Sequence, residues 1–210
     1  MASKIQICNE ALQNIGASYI TSIEENTTNA IGCNLRYDSA RRALLEMHPW
    51  NFAIRRVALN ANVDAPAFNY GYAFNLPSDF LYLYMTETQE RYQSPAIATY
   101  SEMTTVSNLP YYASVDKYRI EGRTLISESS SVGIIYIADI EDSALFSATF
   151  TQLLARYLGA LIAYKVVGSK SERDSQMEIF MKELAEYQAI DSQQGVMDVL
   201  QVSEYLSAGN

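Results

Sequence analysis

Residues 26–59 read NTTNAIGCNLRYDSARRALLEMHPWNFAIRRVAL, and the fold turns on how this run is divided. Ala30, Cys33, Tyr37, Ala40, Leu44 and Met47 recur at alternating steps of three and four, which stripes one face of a helix. Asn26, Thr27 and Thr28 are all good N-cap residues, so the helix can start at any of them. Pro49 disfavours a helical conformation at His48 and lacks the N–H that would continue the ladder, so the helix should stop there. Phe52, Ile54, Val57 and Leu59 then interleave with Arg55 and Arg56, and the period becomes that of a strand. A long helix, a proline stop, the only Trp of the chain and a basic strand make a scaffold corner.

Outward from this corner the pattern is of helices around a β region. Ile5, Cys8, Leu12 and Ile15 stripe a first helix, and Gly16 supplies a left-handed stop. Joined by a short loop, the first two helices should pack as an antiparallel pair. Residues 60–71 are rich in Asn, Asp, Pro and Gly and read as loop. Tyr72 to Leu76 and Phe80 to Thr86 read as strands around the turn Pro77-Ser78-Asp79. Residues 89–110 read as loop with one candidate strand near Ile97. Tyr118 to Ile120 and Thr124 to Ile126 flank a hairpin turn at Gly122, and Val132 to Ala138 follows as a further strand. The expectation is a meander of about five strands. Phe146, Phe150, Leu153, Tyr157, Leu161 and Tyr164, widened by Leu154, Leu158 and Ile162, predict a central helix packed on several sides and ended by Gly168. Ser171 to Asp174 resembles a capping box. The last long helix should carry Met177, Phe180, Leu184 and Tyr187 inward and end at Gly195.

The fold class is therefore α+β: an antiparallel helical bundle of about four helices with an inserted antiparallel β-meander and an extended C-terminal arm. Residues 1–195 form a single domain, helical over 1–50 and 143–195 with the β insertion at 51–142, and residues 196–210 form the arm. Val199, Leu200, Val202, Tyr205 and Leu206 make that arm too apolar for an idle tail and too short to own a core.

Charge and composition exclude several function classes. The net charge is −9, which argues against a nucleic-acid groove, since that would need a basic stripe. It is unevenly spread: residues 1–60 hold six Lys/Arg against five Asp/Glu, and residues 171–210 hold two against eight. An acidic wall can line a DNA conduit without sticking to the duplex, a reading that matters only for a ring. Sixteen Tyr suit either an interface or the edge of a core. Cys8 and Cys33 fall on apolar stripes and read as buried thiols in a reducing compartment. MASKIQ lacks the apolar run of a secretory signal, and Leu145 to Val167 is interrupted by Gln152, Arg156 and Lys165, so a core helix is expected and not a membrane span.

No catalytic constellation stands out. His48, the one histidine, is expected to cap carbonyls at a helix end. Ser114 to Lys117 matches a bare Ser-x-x-Lys without its companion motifs, and reads as chance. Asp139, Glu141 and Asp142 lack the glycine and distal Glu of a calcium loop, and Asp142 or Ser143 is better placed as a helix N-cap. With two cysteines and one histidine there is no zinc spacing, and no phosphate-binding glycine loop is present. No cofactor is expected.

The run NEALQNIG, then a short Ile/Ser/Glu loop, a helix with an Arg pair and HPWNFA resembles the portal-to-tail adaptor family of short-tailed bacteriophages, often called tail tubular protein A. Asn9, Ala11, Leu12, Ile15, Gly16, Ala30, Tyr37, Arg41, Leu44, Leu45, Trp50 and Phe52 carry the resemblance. YAFNLPSDFL (Tyr72 to Leu81), YRIEGRTLIS (Tyr118 to Ser127) and IIYIADIED (Ile134 to Asp142) extend it, and it runs to about Gln194. It implies a structural virion protein and not an enzyme. This would be a dodecameric ring between the portal protein and the tail nozzle protein, with DNA passing through the channel without sequence-specific contact. Such a protein is made in the host cytoplasm and resides in the tail at the portal vertex, with no membrane involved. The arm residues Val199, Leu200, Val202, Tyr205 and Leu206 would then meet the portal. Arg41, Arg42, Arg55 and Arg56 could pair with acidic residues of a neighbouring subunit, although solvated faces explain them as well. Turns around Ser78 and Asp79 and around Ser129 and Ser130 are candidates for the tail side. Two other readings remain open: a glycan-degrading tail enzyme using a carboxylate pair, and a small monomeric binding module.

Overall fold

The computed structural model describes residues 3–62, 64–87 and 117–193. Among them the chain is a mixed α/β protein with four helices and two small antiparallel sheets of three strands each. The helices are α1 (Lys4–Asn14), α2 (Thr28–Glu46), α3 (Ala148–Val167) and α4 (Lys170–Gln193). The strands are β1 (Ile54–Leu59), β2 (Tyr72–Asn75), β3 (Phe80–Thr86), β4 (Tyr118–Glu121), β5 (Thr124–Ser127) and β6 (Val132–Ala138). The chain divides into two compact units: described residues 3–55, 79–82 and 137–193 form the helical unit, and the rest form the second. The chain passes from one unit to the other within β1, β3 and β6.

In the helical unit α3 is the centre. Phe150, Leu153, Leu154, Leu158 and Ile162 are all buried, and α1, α2 and α4 each pack against α3. The expected close pairing of α1 with α2 gives way to this arrangement: each lies chiefly on α3. The physical reason is that α3 is apolar around most of its circumference and offers both neighbours more area than they offer each other. Gly159 permits a close crossing of α1 on α3, because a Cβ there would lie 3.0 Å from the carbonyl oxygen of Ala11. Tyr164 at the end of α3 is exposed rather than on the inward stripe, as is Met47 on α2. In their place Leu45 and Arg41 are buried.

Helix ends follow local chemistry. Ser3 and Gln6 form a reciprocal capping box on α1, and Gly16, in the left-handed region, lets Ala17 N–H reach the carbonyl of Leu12 at 2.9 Å. Thr27 caps α2, donor Ala30 N–H at 3.2 Å. Asp142 caps only a 3-10 turn, Ser143–Leu145, and Ser147 caps α3. Ser169, not Ser171, caps α4 by accepting from Glu172 N–H at 3.0 Å. Gly168 ends α3 as expected. Gly195 and the arm 196–210 lie outside the described residues, as do Ser114 and the candidate strand near Ile97.

The sheets depart from a plain meander. One has the order β1-β6-β3 and the other β2-β5-β4, so among the described residues only β4 and β5 form a hairpin of sequence neighbours. Gly122 turns that hairpin with φ +61. Within the second unit Ala73 faces Ile126 and Phe74 faces Leu125, and these four side chains are buried. Turn chemistry is local and legible, whereas pairing of distant strands is decided by which apolar faces can be buried together.

Candidate functional site

Two polar assemblies stand inside the helical unit. The first forms where α2 passes the end of β6. Arg41 projects from the inward side of α2 and is 1% exposed. Its Nη1 donates to Asp139 Oδ1 and, at 2.7 Å, to the carbonyl of Ile140. Arg42, half exposed, places its Nε 2.8 Å from the other oxygen of the same carboxylate. One aspartate therefore serves two guanidinium groups, a geometry that fixes α2 to the chain leaving β6.

Beside this bridge is a cavity of about 410 Å³ lined by Lys4, Tyr37, Asp38, Arg41, Arg42 and, from the segment after β6, Glu141 and Ser143. The Lys4 ammonium sits 4.7 Å over the ring of Tyr37 and 3.4 Å from Asp38. Asp38 also approaches Arg41 Nε, but at 4.0 Å. Among the described residues, Arg41 Nε and Tyr37 Oη are buried and find no hydrogen-bond partner. Burial, then the neighbouring Cys8, pushes the Tyr37 hydroxyl up to about 12. Directly below, Cys8 and Cys33 are free and buried. The hydrogen bond to Cys33 and then burial push the Cys8 thiol above its ordinary range, while the hydrogen bond from Cys8 draws the Cys33 thiol down. Such a set of groups can recognise an anion. It has no oriented base–nucleophile pair.

The second assembly is the HPWN corner. Trp50 Nε1 donates to the carbonyl of Leu44 at 2.9 Å, so the indole, and not His48, satisfies the end of α2. His48 instead sets Nε2 3.3 Å from Asp191 Oδ2 and its ring edge-on to Trp50. The same carboxylate oxygen accepts from Asn51 N–H at 3.1 Å, while Asn51 Nδ2 donates to the Asp191 carbonyl at 2.5 Å. Asp191 is buried near the end of α4, and no periodicity could have paired it with a residue 143 positions away. Aromatic rings complete the corner: Trp50 and Phe52 both meet Phe150 edge-on.

The residues singled out from sequence are dispersed. Arg41 is buried and held within its own chain by Asp139 and the carbonyl of Ile140. Arg55 donates to the carbonyls of Phe52 and Ile54, both at 3.0 Å, and Arg56 is exposed on β1. Ser78 is exposed, the Asp79 carbonyl accepts from Asp139 N–H at 2.6 Å, and Ser130 is exposed while Ser129 N–H bonds Ser127 Oγ at 3.2 Å. Val199, Leu200, Val202, Tyr205 and Leu206 lie outside the described residues. Sequence reading missed Lys4, Asp38 and Asp191. The one available signal was the Lys4, Cys8 and Cys33, Tyr37, Arg41 spacing, which puts polar tips at one end of two apolar stripes.

No family model matches the chain, and no curated protein matches it. No helix among the described residues is long and apolar enough to cross a membrane.

Proposed function

We propose that this chain is a structural adaptor subunit that assembles side by side with its own copies into a ring joining a phage portal to the tail nozzle. One observation carries the reading beyond the sequence resemblance: three helices of the helical unit present large apolar side chains to solvent. Leu35 on α2 is 69% exposed, Tyr164 on α3 63% and Met181 on α4 58%. Apolar side chains on helices whose opposite faces already fill a core suit packing against other subunits. In this reading the helices form the bundle that packs laterally, the β region docks the next component, and residues 196–210 reach the portal. The acidic C-terminal part faces a DNA channel without sequence-specific contact.

The experiment is light-scattering mass of the purified chain alone and mixed with portal rings. Capture of about a dozen copies per portal supports the reading. A chain that stays monomeric and ignores portals overturns it. Truncation after Gly195 should leave a folded chain that no longer attaches, whereas normal attachment would remove the arm from the proposal.

A further inference from the structure

The cavity between α1, α2 and the segment after β6 holds more donors than acceptors. Arg41 and Tyr37 are 1% and 2% exposed, yet Arg41 Nε and Tyr37 Oη have no partner among the described residues. Leaving a buried donor unmatched is costly, the more so for a charged group. Asp139 already accepts from both arginines, and Asp38 stands too far from Arg41 Nε to bond it. We infer that this cavity is a binding site for a single carboxylate group, received by Arg41 Nε, Tyr37 Oη and the outer guanidinium nitrogens of Arg42.

Charge selects the class of anion. Lys4, Arg41 and Arg42 are opposed by Asp38, Asp139 and the exposed Glu141, so the charges around the cavity balance, and Asp139 is already spent on the two arginines. With Asp38 and Glu141 both lining the cavity, a doubly charged phosphate meets more repulsion than a monoanion does. A planar carboxylate also matches the planar array of an arginine edge. Both waiting donors are sealed from solvent by neighbouring side chains. Lys4, partly exposed, rests on the Tyr37 ring and lines the same cavity, and a carboxylate that reaches the two donors must displace the side chains that cover them. The inference is independent of the adaptor reading. A free carboxylate and an acidic side chain of a second copy share this chemistry, and the two sources separate in the test.

The test is an NMR titration of the whole chain with sodium acetate, following the Arg41 Nε–H resonance, with sodium phosphate at matched ionic strength as the comparison. Acetate should shift that resonance saturably, and phosphate should bind more weakly. Tyr37→Phe removes a hydroxyl without a partner, so the variant folds, and it should raise the acetate midpoint about tenfold. Arg42→Gln should raise it by a similar factor, and Asp38→Asn, which removes a competing charge, should lower it. A resonance already shifted at high protein concentration that reverts on dilution would assign the carboxylate to a second copy. No saturable shift, an unchanged midpoint in Tyr37→Phe, or tighter binding of phosphate would each overturn the inference.

Discussion

Trp50 and Asp191 show how much a single side chain can hold when it is both buried and bonded. The indole fills the space against Phe150 and also caps Leu44, so Trp50→Phe loses area and a hydrogen bond together, and should cost about 2 kcal/mol in urea unfolding. Asp191→Ala strands the Asn51 amide and the His48 ring at a buried corner and should cost about 2–3 kcal/mol, with the same measurement as check. Glu25 acts at the surface. The hydroxyl of Thr21 and the amides of Ser22 and Thr21 hold its carboxyl below the usual carboxylate range. Because the folded value is depressed, its contribution is present above the unfolded value of about 4.3 and is lost as pH falls through the lower folded value. Glu25→Gln should therefore melt lower than the parent at neutral pH, and the gap should close in acid. If the gap persists in acid, the carboxylate is not the cause. The helix caps at Thr27 and Gly16 and the burial of the two cysteines were legible as residue chemistry, whereas the cap at the end of α2, expected of His48, falls to Trp50. Asp191 was not legible, because its partners are remote in sequence.

Helices and turns were readable because their signals are local: caps, apolar period, left-handed glycines. The strand limits at Phe80–Thr86 and Val132–Ala138 agree with the reading of the sequence, and the hairpin turn sits at Gly122. Strand order was not readable, since β1 and β6 meet across a long intervening stretch and nothing local to either names the other. The same limit moved α1 and α2 onto α3. Two glycines test that packing in opposite directions. At Gly32 on α2 a Cβ would meet Val166 and Ile162 at ordinary distances of 3.6–3.8 Å, so Gly32→Ala gains helix propensity without a clash. Thermal melts should show it stabilised by about 0.5–1 kcal/mol. Gly159 is the contrary case. Its Cβ position is already 3.0 Å from a backbone carbonyl that no rotamer can move, so Gly159→Val should destabilise by about 1–3 kcal/mol. Equal effects at the two positions would mean that α1 and α3 do not cross where Ala11 meets Gly159.

For the whole molecule the governing quantities are a net charge of −9 and large apolar side chains left outside the core of the helical unit. These oppose each other when copies meet. Like charge keeps acidic chains apart at low ionic strength, while burial of Leu35, Tyr164 or Met181 draws them together. Salt weakens the first and strengthens the second: the screening length falls from about 10 Å at 0.1 M to about 3 Å at 1 M. If apolar helix faces carry the lateral contact, mass by light scattering should rise with added sodium chloride, and Leu35→Glu should hold it at the monomer value. A contact built from Arg42, Arg55 and Arg56 against the acidic residues of a neighbour would respond the other way, with mass falling as salt is added. The sign of that slope decides between the two contacts, and a falling slope would overturn the apolar one.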